Sequence, residues 1–196
     1  MLNFLRQSVH ELFDIDGRLS LTLKTHLLHP GLVSYEISKG KRAKYTPALR
    51  LYIVSSLLFF LVFSSFQHIF TPETPEQTST VEVYSRTMFV LFPLYALVIQ
   101  CFYWRSFYLS NLVLSMHIHS VAYISLMIIG PLEAFESQSH LLILFQAVPA
   151  IYLAWYILKA FKVMYREVWW KTFLKSLSSY LAYMALLGFA FDVLLH

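Results

Sequence analysis

The sequence predicts an all-α membrane protein, a bundle of about five transmembrane helices with amphipathic interfacial helices at its N-terminal end. Three observations predict it. Of 196 residues, 58% are hydrophobic and only 13% charged, about half the roughly 25% of soluble domains, and the mean hydropathy is +0.58. The apolar residues are gathered into blocks near the ~20 residues a helix needs to cross the hydrocarbon core. The basic residues alternate between connecting segments as membrane topology requires.

Residues 1–47 read as one cytoplasmic segment, basic and amphipathic, with no leading apolar stretch of the signal-peptide kind. Asp16 is placed to N-cap a helix beginning near Gly17, with Leu19, Leu23, Leu27 and Leu28 as its apolar stripe. Pro30 ends that helix and is placed to open a second, which Gly40 stops. Lys39, Lys41, Arg42 and Lys44 then form a dense basic patch.

Residues 48–196 form the membrane domain, with spans expected at 48–70, 87–104, 112–132, 140–161 and 173–195. Lys175 and three serines make the start of the last span its least apolar part. The 71–82 loop is rich in Pro, Thr and Glu and is expected to be extended and exposed. With five spans, only Arg86 of the 15 Lys and Arg residues falls on the side opposite the N-terminus. The expected topology is therefore a multi-pass membrane protein with a cytoplasmic N-terminus and an extracytoplasmic C-terminus. Tyr45, Tyr52, Tyr103, Trp104, Trp155, Tyr165, Trp169 and Trp170 fall near the cytoplasmic face, where an aromatic belt belongs.

Charge and cysteine content exclude several classes. The net charge of +4 resembles that of a nucleic-acid binder, but its placement beside membrane spans points to anionic headgroups instead. The single cysteine, Cys101, permits no internal disulfide and no CxxC zinc or redox pair. There is no GxSxG, HExxH or zinc deaminase pattern, and Ser115 with His119 is the only local nucleophile–base pair within a span. A non-enzymatic protein without cofactor or metal is expected.

Two groups of residues are candidates for a site. The basic patch of Lys39, Lys41, Arg42 and Lys44 reads either as a positive-inside topology signal or as an anion site for a lipid phosphate. Its GKRAK run lacks the GxxxxGK[ST] pattern of a P-loop. The second group is intramembrane: Ser115, His117, His119 and Tyr123. Ionisable residues inside a span are functional-site candidates by default. At about 100° per residue, His117 and His119 point to nearly opposite helix faces, which argues against joint chelation. Ser115, His119 and Tyr123 share one face. Cross-helix hydrogen bonding, a proton relay or ligand contact, and metal or haem ligation are the open readings.

Other polar positions carry less. Glu136 and His140 have i,i+4 spacing and share one outer membrane level with His68, Asp192 and His196, a ring of imidazole and carboxylate groups suited to a divalent cation but with nothing to bring it together laterally. His26-x-x-His29 reads as surface polar decoration, and Pro93 and Pro149 as kinks within spans.

The run Leu21-Thr22-x5-Leu28-x-Pro30-Gly31, followed by Gly40-Lys41-Arg42-x-x-Tyr45-x-Pro47, resembles an uncharacterised bacterial inner-membrane family catalogued as a domain of unknown function. Leu112-Val113-x3-His117-x-His119 and the Tyr165 region are similar to it as well. Many members carry a CxxC zinc ribbon ahead of this core, which is absent here. Ile37 stands where an aromatic is often found, and Ser110-Asn111 where a Glu-His pair often opens the span. The resemblance implies a multi-span inner-membrane protein and supplies no activity. The expected function is organisation of anionic membrane lipid, a protein partner or a second copy at the basic cytoplasmic face. The alternative is a small transporter or channel-like subunit built around the histidine-containing span.

Overall fold

The computed structural model describes residues 17–70, 91–134 and 141–195. Among them are seven α-helices and no strand. In chain order these are α1 (Gly17–Leu28), α2 (Leu32–Ser38), α3 (Ala48–Phe70), α4 (Leu91–Phe102), α5 (Tyr108–Ala134), α6 (Leu141–Tyr165) and α7 (Trp169–Leu195), with a 3₁₀ turn at Arg42–Lys44. Three stretches are long and apolar enough to cross a membrane: Arg42–Ser65, which runs from the 3₁₀ turn into α3, Tyr108–Leu132 in α5 and Ile143–Tyr165 in α6. This is a membrane protein's inventory of elements. The Asp16 cap, the 71–82 loop and the side chains of His68, Glu136, His140, Asp192 and His196 lie outside the described residues.

The central element is α5. Its residues 114–121 are buried without interruption, so it has no outward face over two turns. One side packs on α3, where Ala48, Tyr52 and Phe59 meet Met116 and Tyr123. The other side joins α4 and α6 in a core containing Tyr95, Ile99, Leu114, Ile118, Val121, Tyr156 and Phe161. In contrast, Leu144, Val148, Ile151 and Trp155 form an exposed stripe down α6 at i, i+4, i+7 and i+11. An exposed apolar stripe beside a polar interior suits a lipid solvent rather than water. Pro149 is buried within α6, and the helix continues through it.

The N-terminal helices are fixed by two glycines. Gly31 has φ +77° and lies so close to α6 that an added Cβ would sit 2.6 Å from both Cα and O of Ala160. No other residue gives that backbone both its left-handed torsion and its close approach. Gly40, at φ +91°, reverses the chain after α2, and Lys41 N–H then donates back to the Glu36 carbonyl at 3.0 Å.

The inward face of α1 corrects the expected one. Thr22 and His26, one turn apart, are buried, whereas Leu28 of the leucine stripe is 61% exposed. His26 is thus not surface decoration. A helix can bury its polar side where the partners exist: Thr46 N–H donates to Thr22 Oγ1 at 2.9 Å, and His26 is bonded on both ring nitrogens. His29, by contrast, is exposed.

Candidate functional site

The basic turn is built by the Gly40 reversal, which folds Lys41–Lys44 back over the end of α2. Glu36 is the point on which it closes. Its carboxylate accepts from Lys41 Nζ at 3.2 Å, Lys44 Nζ at 3.1 Å and the Tyr45 hydroxyl at 2.5 Å. The Tyr45 hydrogen bond, with the Lys44 and Lys41 ammoniums beside it, lowers the Glu36 pKa to about 2. The carboxylate therefore stays ionised at any physiological pH. Lys44 also lies 4.9 Å from the centroid of the Tyr45 ring, and Lys39 lies 5.7 Å from that of Tyr35.

Arg42 is different. Among the described residues no carboxylate pairs with it. It lines a groove of about 520 Å³ between the end of α2, the start of α3 and the start of α5. Ser38, Thr46 and Ser110 add hydroxyls, while Leu49, Leu112 and Met116 contribute to a mainly apolar wall. From Leu109 to Met116 the α5 wall descends about 10 Å at 1.5 Å per residue. Of the four predicted basic residues, then, Lys41 and Lys44 converge on Glu36, Lys39 faces an aromatic ring, and Arg42 alone lines the groove.

The intramembrane candidates are distributed around α5 rather than collected. His117 faces α1 and α2. Its carbonyl oxygen accepts from His26 Nε2 at 3.1 Å, and its Nδ1 lies 2.7 Å from Ser34 Oγ. Because a carbonyl can only accept, His26 carries its proton on Nε2, and its Nδ1 must accept from the Tyr156 hydroxyl at 3.0 Å. Burial, partly offset by the bond to the His117 carbonyl, lowers the His26 pKa to about 4. The neutral ring is the one this pocket holds. His117 Nε2 is buried with no hydrogen-bond partner among the described residues.

His119 faces the other way, towards α4 and α7. Its Nδ1 donates to the Ser115 carbonyl at 2.8 Å, so Nε2 accepts from the Tyr183 hydroxyl at 2.8 Å. Ser115 Oγ donates to the Phe92 carbonyl at 2.7 Å. Ser115 and His119 are thus brought together, while the Tyr123 hydroxyl meets Tyr52 of α3 at 3.2 Å. Among the described residues, no three His, Cys, Asp or Glu side chains are grouped to hold a metal ion.

Sequence reasoning missed a second polar cluster nearer the α4–α5 turn. Buried Asn111 donates to Gln100 Oε1 at 2.7 Å and accepts at Oδ1 from Tyr165 at 2.7 Å and Ser106 at 2.9 Å. It also missed Ser34 and Tyr156, and set His26 aside as surface decoration. The signal for His26 was its i+4 spacing from Thr22, a polar pair overlooked beside four leucines.

The fold and these sites define an all-helical membrane protein with a basic turn and a polar interior. Residues 16–60, which include α1, α2, the basic turn and the first half of α3, are similar to a family described as a protein of unknown function (DUF3667). No curated protein and no solved structure matches the chain.

Proposed function

We propose that the chain is a non-enzymatic, five-span protein of the bacterial inner membrane that holds an anionic phospholipid at its basic cytoplasmic face. The observation that carries this reading is Arg42, a guanidinium with no carboxylate partner among the described residues, lining a groove with a mainly apolar wall. A guanidinium forks onto phosphate oxygens, and apolar groove walls take acyl chain. A topology signal alone requires only positive charge, and therefore would not distinguish Arg42 from lysine.

Native mass spectrometry of the detergent-purified protein, with phosphatidylglycerol titrated in, tests the reading. Arg42→Lys is expected to retain several-fold less lipid and Arg42→Ala less still. Reporter fusions in 71–82 and 162–171 should continue to report opposite sides of the membrane. Equal lipid retention by all three proteins would overturn the reading. A second reading, a small transporter or channel-like subunit, is favoured by His117 Nε2, buried and without a partner among the described residues. Proteoliposome flux with and without a proton gradient separates the two, since a lipid-organising protein carries none.

A further inference from the structure

Four cations are crowded into six residues of the basic turn, yet they are not equivalent. Glu36 occupies Lys41 and Lys44 together, at 3.2 and 3.1 Å, and the Tyr45 hydroxyl at 2.5 Å fixes the same carboxylate in place. Its side chain is only 16% exposed, against 63% and 51% for the two lysines. The carboxylate is thus the set element and the lysines come to it. The Tyr35 ring adjoining the turn carries Lys39 on it at 5.7 Å and Arg166 at 4.5 Å. Among the described residues Arg42 is the one charged residue lining the groove, whose volume lies within the ~300–1,000 Å³ range of sites for small ligands.

We infer that the groove selects a phospholipid with a single phosphodiester, of the phosphatidylglycerol class, over one with two phosphates such as cardiolipin, and that Glu36 sets this preference by holding Lys41 and Lys44 away from the headgroup. The inference rests on the lipid reading above. Charge complementarity carries it: one unpaired guanidinium matches one phosphate, and a second phosphate would meet the Glu36 carboxylate unless both lysines were released.

The test is a competition of equimolar phosphatidylglycerol and cardiolipin for the full-length protein in detergent, read by native mass spectrometry. Glu36→Gln keeps an oxygen to accept from Tyr45 and frees both lysines. It should shift the bound ratio towards cardiolipin by about fivefold per released lysine, roughly 25-fold for the pair. Adding Lys41→Gln and Lys44→Gln to Glu36→Gln removes the released cations without leaving a bare carboxylate, and should return the bound ratio to within about twofold of the native protein's. An unchanged ratio in Glu36→Gln, or a shift that persists in the triple variant, would overturn the inference while leaving an Arg42-dependent lipid site standing. Undiminished phosphatidylglycerol retention in Arg42→Ala would instead remove the site itself. Glycerophosphate, with the anion but no acyl chain, should fail to compete; full competition would overturn the assignment to lipid.

Discussion

Replacing Gly31 by alanine, with Gly40→Ala as its companion, separates two costs that glycines usually mix. Both residues have left-handed torsions, φ +77° and +91°. A Cβ in that region costs about 1–2 kcal/mol at either position, offset equally in both by about 0.4–1 kcal/mol of lost chain entropy in the undocked state. The sites differ in what the new methyl meets. At Gly40 nothing lies within 4 Å, whereas at Gly31 the Cβ is 2.6 Å from Cα and O of Ala160 and 3.0 Å from its carbonyl carbon. These are main-chain atoms of a buried helical residue and cannot rotate away. Overpacking of this kind costs a further ~1–3 kcal/mol. Gly31→Ala should therefore lower the hydrogen-exchange protection of residues 17–38 by about 5–150-fold more than Gly40→Ala, at 1.36 kcal/mol per decade. The measurement is exchange read by mass spectrometry in micelles. Ala160→Gly should give no rescue, because the clash is with backbone. Equal losses from the two alanines, or rescue by Ala160→Gly, would refute the close approach of this turn to α6.

Two further outcomes follow from the polar contacts. His26, lowered to about 4 from an ordinary 6.5, binds fewer protons docked than undocked, so docking of α1 is fully stable above pH 6.5 and weakens as pH falls from 6.5 to 4. The total loss is about 3 kcal/mol at 1.36 kcal/mol per unit, visible as lost exchange protection in 17–28. His26→Gln should flatten that profile; of the facing groups, Tyr156 and Tyr152 do not titrate in this range, and His117→Gln serves as the control for the second ring. Asn111→Leu, which orphans Gln100 Oε1 and the Tyr165 hydroxyl, should cost about 2–6 kcal/mol and Tyr165→Phe about 1 kcal/mol. Thermal unfolding in detergent compares them, and equal melting shifts would deny Asn111 its place at the centre of the cluster.

The legible parts of this molecule are those written in local chemistry. The helix Ala48–Phe70 occupies one apolar run that begins just after Pro47, and Pro30 and Gly40 announce both turns of the N-terminal segment. Helix ends were less legible: α5 begins at Tyr108 rather than near Leu112. Hydropathy stops at Ser110 and Asn111, but the backbone hydrogen bonds continue and Asn111 is buried. The opposed directions of His117 and His119 follow from helical period alone. What each would touch does not, because Ser34 is 83 positions from His117 and Tyr183 is 64 from His119. The Glu36 clamp was invisible for a related reason. Lys41 and Lys44 are five and eight residues away, spacings no helix brings together, and only the Gly40 reversal does so.

The docking of the N-terminal helices has a consequence for biogenesis. His26 must wait for Tyr156, 130 residues later in the chain, and the turn at Gly31 must wait for Ala160. At translation rates of about 5–20 residues per second, that interval is roughly 7–26 s. Throughout it α1 and α2 stand outside the ribosome with His26 lacking Tyr156 and their seat on α6 not yet made. The first helices made are therefore among the last to be fixed. A ribosome stalled before α6 would leave them open to protease at Arg18, Lys24 and Lys39, whereas completion of α6 would close that window.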